Sequence, residues 1–261
     1  MRSHSAVACL GQLADQGFQE FEVMVHPGHL WSAELSTEQR RAIRQQIEPR
    51  GIRLTTLNMP NIDINVAGAA AEMRAYSLSL VTETVRLAGE LGARGVVIGP
   101  GKANPLFPAP AAELVGHFYA ALDKLCPVAE ASGTALWVEN MPFAFLPGIG
   151  DLMAALKRYG NDKICIVYDL ANAYFIKEDF ADGLQQCRER LALVHLSDTG
   201  QQVFRHDPVG LGTFPFKDVP RALAVVGYKA RPMLEIISRD PDRDIIASAS
   251  SLAVLGFSQA H

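Results

Sequence analysis

Four short apolar runs of the sequence each carry, near their carboxyl end, one side chain that can bind a metal ion. Carboxylates are rarely buried unless they are paired, hydrogen-bonded or bound to a metal. Three carboxylates that meet at one point raise one another's pKa, and a divalent cation removes this repulsion. The runs are ALWVE (135–139), KICIVYD (163–169), LALVHL (191–196) and RPMLEII (231–237), and the side chains are Glu139, Asp169, His195 and Glu235.

Each of these side chains, taken singly, also has a structural explanation. A histidine on a strand often packs in a core, and an aspartate at a strand end often caps the next helix. Because four successive runs each supply one such side chain at the same end, we favour a metal site. Carboxylates with a single histidine suit Mn²⁺ best, with Mg²⁺, Co²⁺ or Zn²⁺ as alternatives, and open positions would let a substrate chelate the ion.

These four runs belong to a longer alternation of apolar runs and amphipathic stretches. Three further runs, at 20–25, 52–57 and 95–99, also have strand length. Most of the seven runs are continuously apolar, as parallel strands covered by helices are. Seven β/α repeats predict an α/β fold, the (β/α)8 TIM barrel, formed by one domain over residues 1–261. Helical patterns cover 5–17, 36–48, 69–92, 110–132, 149–160, 179–189, 216–226 and 241–256, and Pro127 is expected to kink the fourth or to start a turn.

The start of the chain departs from a regular barrel. Such a barrel begins with a strand, whereas the first pattern here is the helical one at 5–17. We expect either that Met1–Ser5 forms a stub of that strand or that the first strand is missing or reduced. Chemistry in this fold takes place at the carboxyl ends of the strands, which is where the four candidate ligands stand.

Composition narrows the class of protein. The 261 residues are 49% apolar and 20% charged, and the net charge of −4 without a basic stripe argues against a nucleic-acid partner. No apolar run reaches the roughly 18 residues of a membrane span, so no membrane partner is expected. The four cysteines are widely spaced and form no C-x-x-C pair. A zinc knuckle and a disulfide framework are therefore not indicated, and a cytoplasmic location fits.

Two loops rich in proline and phenylalanine bear on assembly. NPLFPAP (104–110) and MPFAFLP (141–147) can each form a dimer contact or a lid over the site. The expected partner is a small sugar-like molecule, and a homo-oligomer is left open.

Several segments resemble the xylose isomerase-like TIM barrel superfamily, which includes sugar phosphate isomerases and epimerases and the AP endonuclease family 2 type. The segments are WVENMP, IVYDLANAYF, VHLSDTG with RHDPVGLGTFPF, and MLEI, within residues 130–240. The resemblance implies that Glu139, Asp169, His195 and Glu235 are the metal ligands and that the two glutamates also act as an acid/base pair. It further implies that the loop with the G-x-G at 210–212 brings a basic residue, Arg205 or His206, to the substrate.

Two positions depart from the ketose epimerases of that superfamily. These enzymes usually carry a histidine three residues after the metal aspartate, where this chain has Asn172, and often one two residues after the metal histidine, where it has Ser197. Since those positions hold substrate hydroxyls, the substrate can differ from a standard free ketose. Endonuclease members need many histidine ligands, and seven histidines in an acidic chain argue against that activity.

The resemblance implies an isomerase or epimerase that moves a proton next to a carbonyl through an enediolate. Two alternatives are left open: a lyase that dehydrates a keto-sugar or keto-inositol, and a non-catalytic barrel that binds a sugar. Asparagines after strands, including Asn140, can bind hydroxyls but also form turns, and a loop lysine can bind an anion or remain solvated. The candidate substrate-binding residues are Asn172, Arg205, His206, His26, Asn58 and Lys102.

Overall fold

The computed structural model describes residues 4–60 and 64–257. The chain divides into two compact units, Met1–Val138 and Glu139–His261. The described strands are parallel neighbours in chain order within one seven-stranded sheet. None of the described helices is long and apolar enough to cross a membrane.

The first unit holds the first four β/α repeats. Its strands are β1 (Glu20–Met24), β2 (Arg53–Asn58), β3 (Gly95–Ile98) and β4 (Ala135–Glu139), whose last residue belongs to the second unit. Its helices are α1 (Ala6–Asp15), α2 (Thr37–Ile47), α3 (Ala71–Leu91) and α4 (Ala111–Ser132). All four residues of β3 are buried, as expected for a parallel strand with helices on its outer face.

Local sequence signals account for several helix ends in this unit. Ser36 and Gln39 form a capping box at the start of α2. Gly92 and Gly133 end α3 and α4 in the left-handed conformation, with φ of 77° and 71°. The expectation that Pro127 starts a turn was wrong, because α4 continues to Ser132. Burial of residues on both sides of the proline, which include Leu125 and Ala129, offsets the cost of about 3 kcal/mol for a proline inside a helix.

The second unit completes the alternation. Its remaining strands are β5 (Cys165–Asp169), β6 (Leu191–Leu196) and β7 (Met233–Leu234). Its helices are α5 (Ile149–Tyr159), α6 (Leu170–Phe175), α7 (Phe180–Cys187), α8 (Val219–Val225) and α9 (Pro241–Val254). Because β5, β6 and β7 run parallel, their carboxyl ends meet at one edge of this unit.

Two elements of the second unit differ from the sequence-based expectation. Helix α6 begins directly after β5 and was not predicted, and β7 is much shorter than the expected 231–237. The predicted stub at the start of the chain falls partly on Met1–Ser3, which lie outside the described residues. Ser5 is described, and its side chain caps the first turn of α1.

Candidate metal centre

The four predicted ligands lie together at the carboxyl ends of four strands. Glu139 and Asp169 are the last residues of β4 and β5, His195 is the next-to-last residue of β6, and Glu235 directly follows β7. Each side chain offers one ligand atom, and these atoms all lie within 4.8 Å of one another. All four residues belong to the second unit, so one compact part of the chain holds the whole cluster.

His195 is at the centre of the cluster. Its Nδ1 atom is hydrogen-bonded to Glu139 Oε1 at 3.1 Å, and it lies 3.2 Å from Glu235 Oε2 and 3.9 Å from Asp169 Oδ2. The side chains of His195 and Asp169 are fully buried, whereas that of Glu235 retains 13% of its exposure. The cluster is therefore open on the side of Glu235.

Two carboxylate oxygens in this cluster lack a hydrogen bond. Among the residues that the structure describes, Asp169 Oδ2 and Glu235 Oε2 are buried atoms that make none. Burial of a charged oxygen without a partner is costly, and a coordinated cation removes that cost. In the metal-free chain, burial raises the pKa of Asp169 to about 7, the charge of Glu235 adds to this rise, and His206 and His195 oppose it. A divalent cation ligated by these oxygens fits the cluster.

Asp169 is held in place from both sides by asparagine amides. Asn140 accepts a hydrogen bond from the Asp169 N–H at 2.7 Å and donates one to the Asp169 carbonyl at 3.0 Å. The N–H of Asn172 donates to Asp169 Oδ1 at 2.6 Å, which caps α6. The Asn172 amide in turn donates to the Asn140 carbonyl at 2.8 Å. Asn140 thus serves as a hydrogen-bonding partner for the Asp169 backbone.

Asn172 has one further feature that bears on its predicted role. Its Oδ1 atom is buried and makes no hydrogen bond within residues 4–60 and 64–257. A buried acceptor without a hydrogen bond lowers the stability of the folded protein, and a ligand that supplies a donor removes this cost. This geometry is consistent with the prediction that Asn172 binds a substrate hydroxyl.

Of the two basic residues expected near the substrate, His206 faces the cluster. Its Nδ1 atom lies 3.4 Å from Glu235 Oε2, 3.8 Å from Asp169 Oδ2 and 2.9 Å from the hydroxyl of Ser197. Burial lowers the pKa of His206, but the negative charges of Asp169, Glu235 and Glu139 outweigh it, and the net shift is upward. Arg205 retains 61% of its side-chain exposure and lies 4.0 Å from Asp207.

The loop that carries His206 is organised by a residue that the sequence analysis left without a role, Asp198. This aspartate is buried, and its two carboxylate oxygens accept from the N–H groups of Thr199, Gly210 and Phe214. Its backbone also exchanges two hydrogen bonds of 2.8 Å with Asp207. The sequence signal was present, since Asp198 lies two residues after the end of β6 and precedes a loop with several glycines, where aspartate is a common turn former.

The other predicted substrate-binding residues lie in the first unit. His26 lies two residues after the end of β1, and its ring stacks on His29 with centroids 4.9 Å apart. Asn58 ends β2, is buried, and donates from its amide to Glu22 Oε1 at 2.8 Å. The proposed contact of these residues with a substrate stays a prediction.

Lys102 lines a cavity of about 400 Å³ in the first unit, formed by the loops after β2 and β3. Asn65 fixes the lysine backbone, because it accepts from the Lys102 N–H and donates to the Lys102 carbonyl, both at 2.9 Å. His117 and Glu113 also line this cavity and lie 3.5 Å apart. The loop is thus ordered around the lysine, and binding of an anion there stays a prediction.

Comparison with known proteins places this geometry in a family context. A family model described as xylose isomerase-like TIM barrel matches residues 10–254. The protein MJ1311 of Methanocaldococcus jannaschii is 23% identical over 229 residues, which cover 86% of this chain and 76% of that protein.

Solved structures agree on the fold. A D-tagatose 3-epimerase-like protein superposes with a TM-score of 0.82 at 19% identity, covering 97% of this chain and 94% of the other. A D-psicose 3-epimerase superposes with a TM-score of 0.79 at 20% identity, covering 97% and 95%. The predicted TIM barrel fold is therefore confirmed.

Proposed function

The chain belongs to the xylose isomerase-like TIM barrel family, and from this premise we propose that it is a divalent-metal-dependent isomerase or epimerase of a sugar or polyol. The observation that carries the proposal is the cluster of Glu139, Asp169, His195 and Glu235, with two buried carboxylate oxygens that lack hydrogen bonds. The names of structural neighbours, a D-tagatose 3-epimerase-like protein and a D-psicose 3-epimerase, support the same reaction class.

The four clustered side chains would hold the cation, with Mn²⁺ as the first candidate and Mg²⁺, Co²⁺ or Zn²⁺ as alternatives. A divalent ion bound there would polarise a substrate carbonyl and stabilise the negative charge that develops after proton removal. The burial of Glu139, Asp169 and His195 adds to this effect, because electrostatic interactions are stronger where water is excluded.

Glu139 and Glu235 are the proposed acid/base pair. One glutamate takes the proton from the carbon next to the carbonyl, and the other returns a proton to the opposite face or to the neighbouring carbon. Positioned groups of this kind contribute about 10²–10⁴-fold to a rate. Glu235 has the more exposed side chain, at 13% against 4% for Glu139, so it is the glutamate that a substrate meets first.

His206 and Asn172 are proposed to orient the substrate. His206 lies between Ser197 and Glu235, so its imidazole can hydrogen-bond a hydroxyl that approaches the glutamate. The buried Asn172 Oδ1 can accept from a second hydroxyl. Asn172 and Ser197 stand where ketose epimerases of the superfamily usually carry histidines, so we infer a substrate other than a standard free ketose.

The test has two stages. Metal analysis of the purified protein is expected to give about one divalent ion per chain, the occupancy of a single four-ligand site. Incubation of the metal-loaded protein with a panel of ketoses in D₂O should then incorporate deuterium next to the carbonyl. The absence of both bound metal and exchange would contradict the proposal, and exchange accompanied by an unsaturated product would assign the protein to the lyases instead.

A further inference from the structure

Three phenylalanine side chains form an apolar surface in the second unit. Phe143 lies in the loop after β4, Phe175 ends α6 after β5, and Phe204 lies in the loop after β6. The ring centroids are 5.4 Å apart for Phe143 and Phe204, 5.2 Å for Phe175 and Phe204, and 6.0 Å for Phe143 and Phe175. We call these three residues the aromatic wall.

The aromatic wall adjoins the metal centre through His206. Phe204 packs edge to face against the His206 imidazole, with centroids 5.1 Å apart and planes at 84°. His206 Nδ1 lies 3.4 Å from Glu235 Oε2. The wall therefore begins one side chain away from a proposed acid/base group, at a distance that the non-reacting end of a sugar-sized molecule can reach.

The aromatic wall differs from the other aromatic cluster of this unit. Phe214 contacts Tyr174, Phe180 and Phe216, and only 6% of Phe214 is exposed, so that cluster is part of the core. Phe143 is 63% exposed. A large apolar ring left in solvent beside a binding site marks a surface that a ligand or partner covers.

The loop around Phe143 offers little to a hydroxyl group. Residues 141–147 read MPFAFLP, and none of their side chains can donate or accept a conventional hydrogen bond. A sugar hydroxyl buried against these side chains would lose its bonds to water and find no side-chain donor or acceptor in their place. An apolar group placed there would instead gain from burial against the rings.

We propose that the aromatic wall binds an apolar or aromatic substituent at the end of the sugar remote from the reacting carbons. This inference rests on the proposed function and deepens it. It assigns the substrate class to keto-sugar glycosides with an apolar aglycone, in preference to free ketoses that carry hydroxyls along their whole length. Phe143 and Phe204 are the residues that set this preference, because Phe204 contacts His206 and the exposed Phe143 packs on Phe204.

The experiment compares methyl and phenyl β-glycosides of 3-keto-glucose, in which the proton next to the carbonyl exchanges through the enediolate. Deuterium incorporation by the manganese-loaded protein gives kcat and KM for each glycoside. The phenyl glycoside is expected to have the higher kcat/KM by about tenfold, mainly through a lower KM. Phe143→Ala is expected to bring the ratio of the two kcat/KM values close to one.

Val225→Ala is the matched control. Val225 is 73% exposed but ends α8, the helix that leads into β7, so it stands at the opposite end of the strands from the metal centre. The ratio should be the same in this variant as in the parent protein. A fall in the ratio equal to that of Phe143→Ala would overturn the assignment of the aromatic wall.

Calorimetric titration with methyl and phenyl β-glucoside separates the wall from the proposed function. If the parent protein exchanges deuterium but has equal kcat/KM values for the two glycosides, the role of the aromatic wall is rejected and the proposed function is kept. If no exchange occurs, but the phenyl glucoside binds more tightly than the methyl glucoside and Phe143→Ala removes this difference, the role of the aromatic wall is supported and the proposed function is rejected. Neither exchange nor a difference in binding would reject both. If Phe143→Ala instead converts a dimer into a monomer in sedimentation with the ratio unchanged, the wall is a self-association surface and the proposal fails.

Discussion

Asp169 and Glu235 are two carboxylates of one cluster, yet their surroundings differ. Asp169 ends a five-residue strand and is fully buried. Its N–H donates to Asn140 Oδ1, and its Oδ1 accepts from the Asn172 N–H. Glu235 follows a two-residue strand, and its N–H donates to the Leu196 carbonyl at 3.0 Å. A carboxylate on a rigid support is suited to holding an ion, whereas one with a freer, more exposed side chain is suited to carrying a proton.

Glu235→Gln gives the largest effect expected from this difference. The amide keeps an oxygen for the ion but cannot accept a proton from carbon, so deuterium exchange should fall by about 10²–10⁴-fold. Metal content measured on the same sample at a saturating concentration of the ion should stay near that of the parent protein, even where the amide binds the ion more weakly than the carboxylate does. A variant that retains full exchange would remove Glu235 from the acid/base pair.

Metal removal tests the holding role of Asp169. A cation present at 100 times its Kd raises the free energy of unfolding by about 2.7 kcal/mol, which chelation by EDTA abolishes. We expect this difference in denaturant titrations of the parent protein and little of it in Asp169→Asn, with Glu235→Gln in between. An equal response of Asp169→Asn and the parent would show that the aspartate does not hold the ion.

Asn140→Ala tests whether the hydrogen bonds that fix the Asp169 backbone contribute to metal binding. Loss of the two hydrogen bonds to the Asp169 backbone should weaken metal binding by about 10–100-fold, as measured by isothermal titration calorimetry. Asn104→Ala is the control, because that asparagine lies on an exposed loop of the first unit. Unchanged metal affinity in Asn140→Ala would argue that the strand alone positions Asp169.

Ser197→Ala is expected to have the smallest effect. It removes the hydrogen bond of 2.9 Å to His206 Nδ1, which is worth about 0.5–1.5 kcal/mol. The imidazole would then be less well oriented, and KM should rise by a few-fold while metal affinity is kept. A change in metal affinity as large as that of Asn140→Ala would place Ser197 in the support of the ion rather than in the orientation of His206.

Much of the fold and of the candidate metal centre could be predicted from the sequence, for physical reasons that differ between residues. The apolar runs that end in Glu139, Asp169 and His195 are buried parallel strands, so their length and composition revealed both the strand and its end. Glu139 is a carboxylate at the end of an apolar run. Its position predicted the cluster, because a buried charge needs a partner.

Other features could not be read in this way because they depend on contacts between distant segments. Asn140 looked like a turn residue, and only the position of β5 reveals that its amide bonds the Asp169 backbone. Helix α6 is one and a half turns long, too short for a periodic pattern, and is started by the Asp169 cap. The short β7 was expected to be longer because most residues of RPMLEII are apolar. Ile237 is instead 68% exposed, and its N–H donates to the His206 carbonyl.

The hydrogen bonds from Asn140 and Asn172 bring Asp169 to its position before any ion arrives. Little conformational entropy remains to be lost on binding, since the backbone of this ligand is already fixed. Sites of a given ligand set bind first-row divalent ions in an order of affinity that rises from manganese to copper, so selectivity depends on geometry and on metal availability. For the proposed metal site, a cluster formed in advance predicts that the bound metal follows the metal supply of the cell.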